Sequence, residues 1–216
     1  MSADVAMAEP ERRLANEDLA RARWYAFFSR WLLAAPDQQA IECFVPAPAG
    51  GSAAADLSVA DPAASSSLAG AWNAFAAAVH SVPLASIRDA YDATFVSVGQ
   101  APVGLHASVH LSGFANERPL ADVRAWLAGL GIASREGGLV TEDHLGLLSE
   151  VMAWLIIERP ADEAAQRDLF QRWIGPVVDA FAAQLDAAPG AGVYRPLGRL
   201  FSAFCAVERQ AFDMDH

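Results

Sequence analysis

The chain of 216 residues contains no lysine, so its 15 basic side chains are all arginines. This absence excludes a Schiff-base lysine, the lysine of a phosphate-binding loop and a Ser-Lys catalytic dyad. The 26 acidic residues give a formal net charge of -11. That charge argues against a nucleic-acid-binding protein, because such proteins present a basic face to phosphates. It is compatible with a basic partner.

Cysteines are scarce, and long apolar runs are absent. Cys43 and Cys205 are too few for a disulfide framework, and we expect Cys205 to be a buried small hydrophobe within an apolar helical run. No run of 18 apolar residues suits a membrane span. Arg12-Arg13 are followed by Leu14-Ala15-Asn16-Glu17-Asp18 instead of the uncharged apolar stretch of a twin-arginine export signal. We therefore expect a cytoplasmic protein that is not exported by such a signal.

The motifs of the common enzyme classes are missing as well. The chain has no HExxH, no GxSxG and no GxGxxG sequence. His106 and His110 are four residues apart, but no acidic residue follows either within a turn. Their segment, 97–114, is rich in glycine and shows no regular helical pattern. We expect no metal site, no cofactor and no catalytic activity.

Apolar residues recur at helical spacing along most of the chain, and no segment alternates like a half-buried strand. With a hydrophobic fraction of 54% and a charged fraction of 19%, the sequence predicts an all-α protein with one globular domain. Proline and glycine mark several helix ends, such as Pro36, Gly131 and Pro160. The predicted helices cover about 16–35, 68–80, 84–96, 119–130, 141–159, 162–173, 177–187 and 196–212.

The predicted helical domain covers residues 14–216, with one irregular segment before it and one within it. Residues 1–13 have the composition of a flexible tail. Residues 45–67 are rich in Pro, Ala, Gly and Ser without periodicity, which is typical of a low-complexity loop.

The string Thr141-Glu142-Asp143-His144 has two interpretations. In the first, Thr141 caps a helix and the two carboxylates lie in its first turn, where the helix dipole favours anions. In the second, the carboxylates and the imidazole form a compact acidic site suited to an arginine fork.

Several segments, in this order, resemble the TorD/DmsD/NarJ family of molybdoenzyme-specific cytoplasmic chaperones. They cover nearly the whole chain outside the tail and the predicted loop. The segments are Trp24-Tyr25-Ala26-Phe27-Phe28 with Pro36, Tyr91-x-x-x-Phe95, Ala107-Ser108-Val109-His110-Leu111, Pro119-Leu120-x-x-Val123-Arg124, Glu142-Asp143-His144-Leu145 with Glu150-Val151-Met152, and Phe204-x-x-Val207-Glu208 with Gln210-Ala211-Phe212-Asp213.

The resemblance implies a TorD-like bundle of roughly nine to twelve helices, as a monomer or a domain-swapped dimer. It implies a chaperone that binds the twin-arginine signal peptide and apoprotein of a molybdopterin oxidoreductase, such as a formate dehydrogenase or a DMSO-reductase-like enzyme. Leu105 and His106 replace the Pro-Trp of many members, so we expect a differently shaped pocket. The signal-peptide-binding residues carried over by the resemblance are Tyr91, Phe95, Ser108, Arg118, Glu142, Asp143 and His144, with Trp72 as a weaker candidate.

Charge and chemistry agree with that resemblance, since Glu142 and Asp143 beside Tyr91 and Phe95 would pair carboxylates with an apolar surface. One alternative is a permanently bound assembly subunit of a reductase or dehydrogenase complex. Another is a ligand-sensing helical regulator, but no predicted helix is rich enough in arginine to be its recognition helix.

Overall fold

The computed structural model describes residues 14–44, 62–96, 101–114, 118–132 and 140–214. Within these ranges the chain is helical without a named strand, which confirms the all-α prediction. Among the described helices, none has both the length and the apolar composition needed to cross a membrane. The helices are α1 Asn16–Leu33, α2 Gln38–Phe44, α3 Pro62–His80, α4 Leu84–Phe95, α5 Ala107–Ser112, α6 Arg118–Gly129, α7 Leu145–Glu158, α8 Glu163–Leu169, α9 Val178–Ala187 and α10 Tyr194–Met214.

Helix α1 lies at the centre of the fold because its apolar residues cover more than one face. It packs along α7, and its aromatic residues meet α3 and α10. The ring of Phe28 stacks on Phe201 at 4.2 Å between centroids, and Trp31 meets Phe75 edge to face at 4.9 Å. The buried residues of α1 are Ala22, Trp24, Tyr25, Phe27, Phe28, Ser29, Trp31 and Leu32.

Helix α10 closes the bundle against α3 and α9. Its Glu208 is 1% exposed and accepts two hydrogen bonds from Arg21 of α1, at 2.8 and 3.0 Å. Tyr25 donates a third hydrogen bond to Glu208 at 3.0 Å. A buried carboxylate requires such partners, so these bonds fix α10 on α1. Cys205 is buried as predicted.

The first half of the chain departs from the predicted boundaries. Helix α2 was not predicted; Asp37 caps it by accepting a hydrogen bond from the backbone N–H of Ala40 at 2.7 Å. Helix α3 begins at Pro62, so the loop prediction is wrong for residues 62–67, while 45–61 and the predicted tail at 1–13 lie outside the described residues. The sequence also favours Asn16 as the N-cap of the first helix, but that prediction is wrong, because α1 already begins at Asn16 and has no side-chain cap.

A widened turn follows α8 where the sequence predicts a regular helix to residue 173. The chain forms a π-helical turn at Phe170–Ile174, and Gly175 donates its N–H to the carbonyl of Phe170 at 2.8 Å. A Cβ at Gly175 would lie 3.0 Å from the ring of Phe170. The tight return of the chain therefore depends on glycine.

Candidate functional site

Two segments far apart in sequence are joined by an antiparallel backbone bridge. The N–H of Leu145 donates to the carbonyl of Leu105, and the N–H of Ala107 donates to the carbonyl of Asp143, both at 2.8 Å. The bridge pairs His106 with His144. It holds the glycine-rich segment before α5 against the start of α7.

The carboxylate of Asp143 ties this junction together. It is fully buried and accepts hydrogen bonds from the N–H of Ser108 at 3.1 Å and from the hydroxyl of Ser108 at 2.5 Å. The hydroxyl of Thr141 donates to its other oxygen at 2.7 Å. Burial acts to raise the pKa of Asp143, but the hydrogen bonds from Ser108 and Thr141 outweigh it and hold the pKa below its usual value.

The predicted helix start at Thr141 is wrong. Helix α7 begins at Leu145, and His144 is its N-cap, because Nδ1 of His144 accepts a hydrogen bond from the N–H of Gly146 at 3.0 Å. Glu142 and Asp143 therefore precede the helix and do not lie in its first turn. The backbone bridge explains why α7 begins later than predicted, since residues 143–145 are paired with residues 105–107.

The surroundings of the histidines at this junction decide the protonation state of His144. Burial lowers the pKa of His144 to about 3, with His106 acting in the same direction and Asp143 against it. The rings of His106 and His144 meet edge to face at 5.2 Å. His110 contacts the carbonyl of Gly104 at 2.8 Å through Nε2. His144 is therefore neutral at physiological pH, as its accepting Nδ1 requires.

Glu142 is paired at the edge of the junction. Its carboxylate accepts a hydrogen bond from Nε of Arg124 in α6 at 2.8 Å. The side chain of Glu142 is 11% exposed and that of Arg124 is 54% exposed. The pair links the segment before α7 to α6.

The predicted aromatic residues of α4 form a cluster with α9 and α10. The ring of Tyr91 lies 5.2 Å from Phe95 and 5.7 Å from Tyr194, and Phe95 stacks on Phe181 at 6.3 Å. The hydroxyl of Tyr91 donates to the carbonyl of Leu32 at 3.1 Å. The cluster therefore ties α4 to the end of α1 and to both C-terminal helices.

A continuous series of contacts joins this cluster to the polar junction. Phe181 also meets His110 edge to face at 6.2 Å. His110 lies in α5 with Ser108, which binds Asp143. The structure thus connects six of the predicted site residues: Tyr91, Phe95, Ser108, Glu142, Asp143 and His144.

The other two predicted site residues have different surroundings. Trp72 is buried in the aromatic core, 5.5 Å from Trp24 and 5.7 Å from Phe27 between ring centroids. Arg118 is exposed at the first position of α6. Among the described residues, Arg118 has no side-chain hydrogen bond or ion pair.

Two exposed apolar side chains beside the junction were not predicted as site residues. Leu111 near the end of α5 is 41% exposed, and Phe114 just after it is 66% exposed. Their positions depend on α5, which the glycine-rich composition of residues 97–114 concealed. Predicting a helix that begins at Ala107 and is terminated by Gly113, whose φ is 84°, would have identified these two side chains.

The described residues bring no three His, Cys, Asp or Glu side chains into an arrangement that could hold a metal ion. The polar groups of the junction instead hold one another and the backbone.

Comparison with known proteins gives one family and one similar fold. The model of the family described as nitrate reductase delta subunit matches residues 61–183, a range that contains all eight predicted site residues. No curated protein shows significant sequence similarity to the chain. The fold is similar to the crystal structure of a candidate redox enzyme maturation protein from Archaeoglobus fulgidus, with a TM-score of 0.51 over 94% of this chain and 99% of that chain. The two chains are 14% identical, so this likeness concerns the fold.

Proposed function

Because the chain belongs to the nitrate reductase delta subunit family, a group of NarJ/TorD-type chaperones, we propose that it is a cytoplasmic maturation chaperone of a molybdopterin oxidoreductase. It binds the twin-arginine signal peptide and the apoprotein, assists cofactor insertion and prevents premature export. Its role is binding and not catalysis. Residues 14–216 act as one chaperone domain.

The continuous contacts from Tyr91 to His144 carry this proposal. They join an aromatic cluster to a polar junction within the range that the family model matches. Inside this region Ser108, Asp143 and His144 set the shape of the site, because their polar atoms bind one another and the backbone. Glu142, Arg118 and Trp72 complete the proposed binding residues.

The surface beside the junction suits the second half of a signal peptide. Such a peptide has an apolar stretch after its arginines, and Leu111 and Phe114 offer exposed apolar area next to α5. The net charge of -11 favours encounter with a basic peptide.

The test is titration calorimetry with a synthetic twin-arginine leader and a scrambled peptide of the same composition. We expect only the leader to bind. The double variant Leu111→Gln with Phe114→Gln should weaken binding at least about tenfold, since burying even one of these large apolar side chains contributes about 1.5–3 kcal/mol and about 1.4 kcal/mol is tenfold in affinity.

Met214→Gln is the matched control, because Met214 is 75% exposed at the end of α10. Its affinity for the leader should equal that of the unmodified chain. If the leader and the scrambled peptide bind equally, the proposed function is wrong.

The family description also favours a second candidate, a subunit that remains bound to the assembled enzyme. Size-exclusion chromatography of the mature, cofactor-loaded enzyme separates the two. Coelution of this chain with the mature enzyme supports the bound subunit, and its dissociation on maturation supports the chaperone.

A further inference from the structure

The carboxylates of the candidate site are already occupied. Asp143 accepts three hydrogen bonds while fully buried, and Glu142 is paired with Arg124. A guanidinium group arriving from a peptide would have to displace these partners. The arginines of a leader therefore need another acceptor.

A groove on α4 offers one. It has a volume of about 490 Å³, and it lies between the end of α3, one face of α4 and the turn that precedes α10. This volume is in the range of pockets that bind small ligands. Its walls are mostly apolar and small, with Ala78, Val82, Ala90, Ala93 and Val193 among them, and its charged lining residue is Asp89.

The turn before α10 is held close to α4 by two glycines with positive φ. Gly190 has φ of 78° and Gly192 has φ of 52°. A Cβ at Gly192 would lie 3.0 Å from the Cβ of Ala90, so a side chain there would push the turn away from α4. The close approach of this turn to α4 therefore gives the groove a defined shape.

Asp89 is available to a ligand. It is exposed, and within the described part of the chain its carboxylate takes part in no hydrogen bond or ion pair. Its neighbour Arg88 instead donates to the carbonyl of Pro36 at 3.2 Å. Asp92, one helical turn along, is also exposed.

The exposed face of α4 is acidic, and an exposed apolar residue follows its end. Asp89, Asp92 and Ala93 fall at positions i, i+3 and i+4 of α4, and Val96, the residue directly after the helix, is 58% exposed. The two carboxylates are about 5 Å apart along the axis, and Val96 is about 10 Å beyond Asp89 at 1.5 Å per residue. An extended segment covers that distance in about three residues.

This pattern matches a segment with two adjacent guanidinium groups followed by apolar residues. We propose that the α4 groove binds the paired arginines of the client's leader, with Asp89 as the carboxylate partner and Asp92 as the second. The proposal rests on the proposed function and names a contact on the other side of α4 from Tyr91 and Phe95. The small walls leave room for the aliphatic part of an arginine side chain.

The experiment measures the affinity of the full chain for the synthetic leader and for a leader with both arginines replaced by glutamine. Asp89→Asn should weaken binding of the twin-arginine leader about tenfold, since a charge-assisted hydrogen bond is lost, and should leave the glutamine leader unaffected. Asp122→Asn, which neutralises an exposed acid on α6, is the matched control and should change neither affinity.

A second pair of variants tests the groove by volume. Ala93→Gln fills the groove without changing charge and should also weaken binding of the twin-arginine leader, whereas Ala85→Gln on another exposed position of α4 should not.

Different results would contradict the groove proposal and the proposed function. If the unmodified chain binds the twin-arginine leader and Asp89→Asn and Ala93→Gln bind it equally well, the groove proposal is overturned and the proposed function stands. If the unmodified chain does not prefer the leader to its scrambled control, both are overturned.

Discussion

Replacing Asp143 by asparagine tests whether this carboxylate holds the junction between α5 and α7. The side chain is fully buried and accepts three hydrogen bonds from Ser108 and Thr141. Hydrogen bonds to a charged group contribute about 1.5–3 kcal/mol, and neutral ones about 0.5–1.5 kcal/mol. Neutralising the acceptor therefore lowers each bond by about 1 kcal/mol, and we expect Asp143→Asn to lose about 3 kcal/mol of stability.

The measurement is urea denaturation, with thermal melting in parallel. A loss of about 3 kcal/mol corresponds to a decrease in Tm of about 6–12 °C for a chain of this length. Glu150→Gln on the exposed face of α7 is the control and should stay within about 0.5 kcal/mol of the unmodified chain. A loss for Asp143→Asn below about 1 kcal/mol would refute the reasoning, because a solvated carboxylate at a helix end contributes no more than that.

The same variant has a defined pH dependence. The folded state holds the pKa of Asp143 below its usual value, so its contribution is present above about pH 4 and is lost as pH falls through the lower folded pKa. Acidification below about pH 4 should therefore cost the unmodified chain more stability than it costs Asp143→Asn.

Three further predictions concern the residues around this junction and the core. The fold lowers the pKa of His144 to about 3, so the free energy of unfolding should decrease by up to about 1.4 kcal/mol per pH unit as the pH falls from about 6.5. The variant His144→Asn keeps an acceptor for the helix cap and should flatten that slope in denaturation curves taken across this range. Gly146→Ala places a Cβ 2.8 Å from Leu33 and should cost about 1–3 kcal/mol by the same assay, whereas Gly129→Ala, with open space around it, should be neutral or slightly stabilising. Glu208→Ala removes the buried carboxylate that Arg21 and Tyr25 share. Among the described residues, Arg21 then keeps only its longer polar contacts to Gln166 and Asp18, at 3.3 and 3.5 Å, so the variant should cost about 3 kcal/mol in urea denaturation; a loss below about 1 kcal/mol would mean that the pair is solvated.

Helices that depend on local signals were predicted from the sequence with small errors at their ends. Helix α6 was predicted at 119–130 and lies at Arg118–Gly129, with the predicted terminator Gly131 at φ of 77°. Apolar periodicity and proline or glycine at the ends are properties of neighbouring residues, so they can be read without knowledge of the fold. Helix α5 was missed because it lies in a glycine-rich segment and its six residues are too few to show a period.

The sequence also carries the order of motifs by which the family was identified, and the family model confirms that assignment over residues 61–183. It indicated which residues belong to the candidate site, but not how they are used. Asp143 was interpreted as either a first-turn anion or an arginine acceptor. Its structural partner Ser108 lies 35 positions away in the sequence, and no local pattern links the two.

What the sequence by itself determined is therefore the all-helical architecture, most helix positions and the family, because each follows from local spacing or from the order of short motifs. Only the tertiary structure decided where α7 begins, which carboxylates are already bound and which face of α4 stays open. Those features depend on contacts between distant segments: the backbone bridge at His106 and His144, the three hydrogen bonds to Asp143, and the turn at Gly192 held against Ala90. Such contacts arise from packing, which brings together residues whose separation along the chain carries no periodic signal.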